Sequence, residues 1–258
     1  MRFGVCTGLS NASAAQAAGF HYIEPSAQSL LDALKPDSEW KGVEAATACP
    51  LPTPVANVMM PGSLKITGPE ADPEKLRQYM TTLLGRAKRT RTNTIVFGSG
   101  AARNVPDGFD RATAGQQIID FARMLAPIAK ENDVTVVLEP LNGKECNIIN
   151  SVAEAMEYVR AVNHPAFQCL ADTYHMWVEN EPMTSVQEYI RAIKHVHVAD
   201  KDGRVAPGES GSADYRELFS ILKQSSYTGL ISIEASSFDI PTAGTRVYEF
   251  LQKQWKES

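Results

Sequence analysis

No stretch of this sequence approaches the roughly 18 consecutive apolar residues that a membrane-spanning helix requires. Cysteine is scarce. Cys6, Cys49, Cys146 and Cys169 are scattered without C-x-x-C spacing, which argues against a disulfide framework or a thiolate zinc knuckle. They read as reduced, mostly buried thiols of a cytoplasmic protein. Basic residues are outnumbered, 25 against 30 acidic, for a net charge of −5. Broad electrostatic attraction to nucleic acid or to an anionic membrane is therefore not expected. No Pro/Gly/Ser-rich linker or composition break divides the chain, so residues 1–258 read as one domain. The opening MRFGVCTGLS carries one arginine and an apolar stretch broken by Gly4 and Gly8. It reads as a first strand rather than a signal peptide. No G-x-G-x-x-G follows it.

What the sequence does contain is regular alternation. Short β-rich runs fall at 2–6, 22–24, 54–59, 94–97, 135–139, 167–171, 194–198 and 230–234. Helical patterns separate them, most clearly at 73–89, 111–130, 152–162, 213–224 and 242–256. Asp72-Pro73 has the form of a cap followed by proline at the first helical position. Ser151, with Glu154 three residues on, has the form of a capping box. Ser212 and Asp214 precede the segment at Tyr215. Strands in strict alternation with helices imply parallel βαβ units. The nearly continuous apolar runs TVVLE and HVHVA fit a sheet covered by helices. A closed barrel and an open doubly wound sheet both satisfy this pattern; eight units in 258 residues, without a G-x-G-x-x-G after the first strand, favour the α/β fold of the (β/α)8 TIM barrel, which typically takes about 250 residues.

Four strands in succession finish in side chains of metal-ligand type. TVVLEP ends at Glu139, FQCLAD at Asp172 and LISIEA at Glu234, while HVHVAD carries His197 near its end. Parallel barrel strands bring their C-terminal ends to one mouth, the face that carries catalysis in this fold. Converging carboxylates repel one another, and burial sharpens the conflict. A cation resolves it. Three carboxylates and one imidazole, without a thiolate, suit one divalent ion of the Mn²⁺, Mg²⁺ or Co²⁺ type, and Zn²⁺ less naturally. His195 lies two residues before His197 on the same side of the strand, one layer deeper. It reads as a hydrogen-bonded supporting histidine.

Weaker signals surround these. Phe97-Gly98-Ser99-Gly100, with Arg103 behind it, is either a glycine loop that cradles substrate or phosphate, or an ordinary tight turn. Glu24 ends the second strand and reads equally as a substrate contact, a solvated carboxylate or a cap. Trp177 is a candidate wall of the site, whereas Trp40 and Trp255 read as packing residues.

At these residues the sequence resembles the xylose isomerase-like barrels, the sugar phosphate isomerase/epimerase superfamily, and within it the ketose 3-epimerases such as the D-tagatose and D-psicose enzymes. LEPLNGKE resembles the E-P-L-N-x-x-E segment, ADTYHM the D-T-x-H-M segment, HVHVAD with APGESG the H-x-H strand and P-G-x-G loop, and SIEAS the final strand. The resemblance implies metal ligation by Glu139, Asp172, His197 and Glu234, with Mn²⁺ the foremost expectation. It implies substrate contacts from Glu145, His175 and Arg204. It also implies proton abstraction beside a carbonyl through an enediolate, with Glu139 and Glu234 as the acid/base pair. The expected partner is a small sugar, free or phosphorylated, and homo-oligomers, dimers or tetramers, are common among such barrels. A sugar or cyclitol dehydratase would use the same first step. An apurinic-site endonuclease-like hydrolase needs several zinc ions and many histidines, whereas this chain has five, none at the end of strand three or four.

Overall fold

The computed structural model describes residues 1–258. Its strands are β1 (Phe3–Cys6), β2 (Tyr22–Glu24), β3 (Val55–Ala56), β4 (Thr94–Phe97), β5 (Thr135–Leu138), β6 (Phe167–Asp172), β7 (Ile193–Val198) and β8 (Leu230–Ile233). All pair in parallel, in the order β2-β1-β8-β7-β6-β5-β4-β3. Between β2 and β3 the ladder is carried by single hydrogen bonds. Ile23 N–H donates to the Pro52 carbonyl at 3.1 Å, Asn57 N–H to Pro25 at 3.1 Å, and Ala27 N–H to Asn57 at 2.7 Å. The result is a nearly closed (β/α)8 barrel.

β3 is much shorter than the run 54–59 suggests. Pro52 and Pro54 lack the N–H groups a ladder needs. Val58 then leaves the extended region altogether, at φ 49°. Five long helices form where the apolar period requires them: Pro73–Thr90, Arg111–Glu131, Val152–Val162, Arg216–Gln224 and Ile240–Glu257. Asp72 accepts the N–H groups of Glu74 and Lys75, each at 3.2 Å. Ser151 Oγ accepts from Glu154 N–H at 3.0 Å, while the Glu154 carboxylate reaches back past the cap to Asn150 N–H at 2.7 Å. The Arg216–Gln224 helix starts three residues later than its pattern, because Asp214 turns the chain first by accepting Arg216 N–H at 3.0 Å. Short helices such as Ala12–Ala18, Gly42–Ala48 and Thr173–Val178 carry too few periodic apolar positions to be legible.

The strands alternate between two interiors. One set of side chains, including Phe3, Ile23, Ile95, Phe97, Val136, Leu138, Val196, Val198, Ile231 and Ile233, packs against the helices. The other set points into the barrel, where Tyr22, Val55, Val96, Val137, Leu170 and Leu230 form a separate apolar floor. Gly4 belongs to that floor as a gap, since any Cβ there would collide with the Tyr22 ring. Two residues further along every strand the same alternation reaches the mouth.

Candidate metal centre and active site

Adding two to each floor position gives Cys6, Glu24, Asn57, Gly98, Glu139, Asp172 and Ser232; the same step from His195 on β7 gives His197, and from Ser232 on β8 gives Glu234. The site is the layer immediately above the apolar floor. Ligand atoms of Glu139, Asp172, His197 and Glu234 all lie within 4.8 Å of one another. Register places them: Asp172 and His197 are direct cross-strand partners on β6 and β7, and His197 pairs with Ser232 on β8. The first three are 3% exposed or less, whereas the Glu234 side chain retains 19%.

His197 is gripped at both ring nitrogens. Nδ1 faces Glu139 Oε1 at 3.1 Å and Glu234 Oε2 at 3.4 Å. Nε2 faces Glu24 Oε1 at 2.9 Å. Burial alone would depress its pKa, but Glu24 and Glu234 outweigh that and hold it well above the usual histidine range. Glu24 is fully buried and also takes His195 Nε2 at 2.8 Å and the Ser232 hydroxyl. Burial would raise its carboxyl, but His197 and His195 dominate and keep it ionised far below the ordinary range. Glu24 is thus neither solvated nor a helix cap. It is the carboxylate that fixes the ring orientation of a candidate ligand histidine, and His195 lies one layer below, as its spacing indicates.

The other carboxylates carry the strain expected of convergence. Burial and then the Glu234 charge raise Glu139, and the same two causes push Asp172 up to about 6. Burial also raises Glu234, but His197 and Arg204 outweigh it and bring it to about 2. Asp172 Oδ2 is buried without a hydrogen-bond partner, an orphaned acceptor facing the cluster. Together with an oxygen-rich donor set, that orphan fits a hard divalent cation, which these four residues would hold. Gly98 is part of the fit, because a Cβ at that position would occupy the space of the Glu139 carboxylate.

The mouth is completed by loops. Arg204 Nη2 donates to Glu234 Oε2 at 2.6 Å, its Nη1 to Glu145 Oε1 at 3.3 Å, and its guanidinium lies 4.6 Å over the Tyr174 ring. His175 is buried, which lowers its pKa. Its Nδ1 accepts Asn142 N–H at 3.1 Å. The neutral ring therefore carries its proton on Nε2, 3.6 Å from Asp172 Oδ2. Glu145, His175 and Arg204 thus meet above the cluster.

Two expectations need correction. Arg103 does not serve a phosphate cradle. It is fully buried, and its Nη1 and Nη2 donate to the Phe97 carbonyl at 2.8 Å and the Glu139 carbonyl at 2.6 Å, tying the ends of β4 and β5 together. Trp177 does not wall the site but packs on Tyr215, ring centroids 5.3 Å apart. The Gly98-Ser99-Gly100 turn does border the mouth, lining a lobe of about 400 Å³ together with Glu139, Glu145, Arg204 and Glu234, while Ser99 Oγ accepts Met60 N–H at 3.1 Å.

Sequence reasoning also passed over residues that matter. Asn57 Nδ2 donates to Glu234 Oε1 at 3.2 Å, and Cys6 Sγ lies 3.9 Å from His197 Nε2. Asp200 is fully buried and organises the 206–212 loop, accepting Ser210 N–H at 3.0 Å, Gly208 N–H at 3.1 Å and the Tyr215 hydroxyl at 2.7 Å. A period-two count from the strand interiors would have found the first two. Asp200 has no such signal.

A parallel barrel with three carboxylates and an imidazole meeting at its C-terminal mouth defines the class. The chain belongs to the xylose isomerase-like TIM barrel family, whose model matches residues 12–254. Among individual relatives, 3-dehydro-D-guloside 4-epimerase of Escherichia coli (strain K12) is 32% identical over 120 residues, 46% of this chain and 45% of that protein. D-psicose 3-epimerase of Enterocloster bolteae is 26% identical over 196 residues, 72% of this chain and 62% of that protein. The chain spans about half the length of the curated relatives it matches. Among solved structures, apo 3-keto-D-glucoside 4-epimerase from E. coli superposes with a TM-score of 0.83, covering 98% of this chain and 99% of that one, at 21% identity. That structural likeness concerns the fold.

Proposed function

We propose that this protein is a divalent-metal-dependent sugar isomerase or epimerase. The observation that carries the reading is the convergence of Glu139, Asp172, His197 and Glu234 ligand atoms within 4.8 Å at the barrel mouth. Relatives named as sugar epimerases, and the family membership itself, support it.

Glu139, Asp172, His197 and Glu234 hold the ion, with Mn²⁺ the first candidate for a site rich in oxygen donors. When bound, the ion supplies Lewis-acid stabilisation for negative charge developing on a sugar carbonyl. Every other part of the reaction belongs to the chain. Glu139 directly follows β5 and Glu234 directly follows β8, so the two carboxylates approach a bound sugar from different sides. One accepts the proton from the C–H beside the carbonyl, and the other delivers a proton to the opposite face, which inverts the carbon. Delivery by the same carboxylate to the neighbouring carbon would instead interconvert aldose and ketose. Each positioned acid or base contributes about 10²–10⁴-fold. His175 Nε2–H and Arg204 donate to sugar hydroxyls, and Glu145 accepts from one. The buried apolar floor closes the site from below.

The test is a screen of free and phosphorylated ketoses in D₂O with Mn²⁺. Deuterium is expected to enter the carbon next to the carbonyl of at least one sugar. Metal binding without exchange into any of them refutes the reading, while exchange accompanied by loss of water would mark a dehydratase.

A further inference from the structure

The mouth does not end at the carboxylate cluster. A lobe of about 410 Å³, lined by Cys6, Glu24, Asn57, Arg204 and Glu234, adjoins another of about 430 Å³. Gly8 and Ser29 line both, and so mark the boundary where the two lobes meet. The outer lobe is walled by the segment that follows β2. Its polar groups are Asp32, Lys35, Glu39 and Lys41. Two carboxylates and two ammonium groups give it donors and acceptors without net charge.

That wall is rigidly built. The buried Arg86 reaches across from the Pro73–Thr90 helix and donates to the backbone carbonyls of Leu31, at 3.0 Å, of Asp32, and of Lys35, at 2.8 Å, and to the Asp37 carboxylate at 2.8 Å. Its guanidinium and that of Arg89 lie 4.7 and 4.5 Å from the Trp40 ring, whose Nε1 donates to the Leu30 carbonyl at 2.9 Å. Gly42 has no room for a side chain between the Leu30 carbonyl and Trp40. Asp32 is held at φ 36°, a costly conformation for a non-glycine residue, and there its carboxylate pairs with Lys35 Nζ at 2.9 Å.

A single sugar ring engaged by the carboxylate cluster and by Arg204 leaves the outer lobe unfilled. Carbohydrate hydroxyls both donate and accept, which matches a lobe of mixed, balanced charge. Phosphate would demand a net positive one. We infer that the lobe walled by residues 29–45 is a second sugar subsite, and that the substrate is a two-ring carbohydrate whose carbonyl-bearing ring sits at the cluster while the other ring occupies this lobe. This inference rests on the isomerase/epimerase reading above and specifies its substrate class. Lys41 and Glu39 have no ion-pair partners and are the hydroxyl-binding groups. Lys35 and Asp32, already paired, form the edge.

The experiment compares deuterium exchange into D-fructose and D-fructose 6-phosphate with exchange into isomaltulose and 3-ketosucrose, using the Mn²⁺-loaded protein. In parallel, the affinity for maltose, a two-ring sugar, is measured against that for glucose. The two-ring substrates should show at least about tenfold higher kcat/KM, the worth of one well-made hydrogen bond to a charged group. Lys41→Ala and Glu39→Ala should each lower the ratio of two-ring to one-ring kcat/KM by about tenfold, and weaken maltose binding similarly. Gly8 is extended, at φ −72°, and the nearest atom to an added Cβ would be Ser10 Oγ at 3.8 Å. Gly8→Leu should therefore fold, place its side chain at the boundary of the two lobes and lower the same ratio. Equal or better use of D-fructose or its phosphate, or ratios unmoved by all three substitutions, overturns the subsite. Absence of exchange in every sugar refutes the function instead, and maltose binding then still decides the lobe: binding weakened by Lys41→Ala upholds it, and no binding removes it.

Discussion

Glu139 and Glu234 stand in different electrostatic settings although both face one cluster. Glu139 is buried and raised, whereas Glu234 is partly open and held ionised by His197 and Arg204. That asymmetry suits a pair of groups that alternate as acid and base. Glu139→Gln and Glu234→Gln keep the side-chain volume and are expected to abolish turnover without loss of fold. Near-normal activity in either variant, with an unchanged circular dichroism spectrum, contradicts the assignment. His197→Ala should lower metal occupancy measured by elemental analysis. Glu24→Gln leaves all four candidate ligands in place yet removes the carboxylate behind His197, and should weaken Mn²⁺ binding by about 10–100-fold. An unaltered Kd in a calorimetric titration would reduce Glu24 to a packing role. The pH dependence follows from Asp172. Its folded pKa, about 6, lies above the unfolded value, so its contribution to stability is complete below about pH 4 and fades as pH rises through 6. Binding of a cation requires the ionised form. Mn²⁺ affinity should therefore drop about tenfold per pH unit below 6, with proton release on binding. Affinity that stays flat down to pH 5 would show that no raised carboxyl, Asp172 included, must lose its proton for the metal to bind.

At the scale of elements, the ends of β4 and β5 act as one unit. Gly98 leaves the space that the Glu139 carboxylate fills, and Arg103 fastens the Phe97 and Glu139 carbonyls together. Gly98→Ala should leave the fold intact, because the clash is with the far end of a side chain. Displacement of that carboxylate by about 1 Å should cost on the order of 10² in kcat. A variant with full kcat would mean that Glu139 is not held in place by this contact. The segment after β2 depends similarly on Arg86. Arg86→Met strands three carbonyls and should lower stability by about 2–4 kcal/mol in urea unfolding.

At the scale of the whole molecule, the cluster links folding to metal. The four candidate ligands come from the ends of four strands and converge only in the closed barrel, so an ion held by them would bind the native state and not the unfolded chain. At a hundredfold excess over Kd the stabilisation is about 2.7 kcal/mol. For a chain of this length each kcal/mol raises Tm by about 2–4 °C. A rise of several degrees on adding Mn²⁺, reversed by a chelator, is the expected melting behaviour, and an unchanged Tm at saturating metal would count against the centre.

The sequence by itself determined the alternation of strands and helices, hence the parallel barrel, because period-two and period-3.6 patterns are local properties of the chain. It also marked Glu139, Asp172, His197 and Glu234, because each stands at a strand's C-terminal end and parallel strands leave only one mouth for them. Only the tertiary structure decided the meaning of Glu24, Arg103 and Asp200. A carboxylate at a strand end is the same local signal whether it meets solvent or two histidines from β7, about 170 residues away. Arg103 looks like a loop cation until two strand carbonyls accept from its Nη1 and Nη2. The wall built by Arg86 and Trp40 was likewise invisible, since its partners come from separate elements and no periodicity joins them. Patterns along a chain report which face a residue shows, whereas the groups that meet it there depend on how distant segments close on one another.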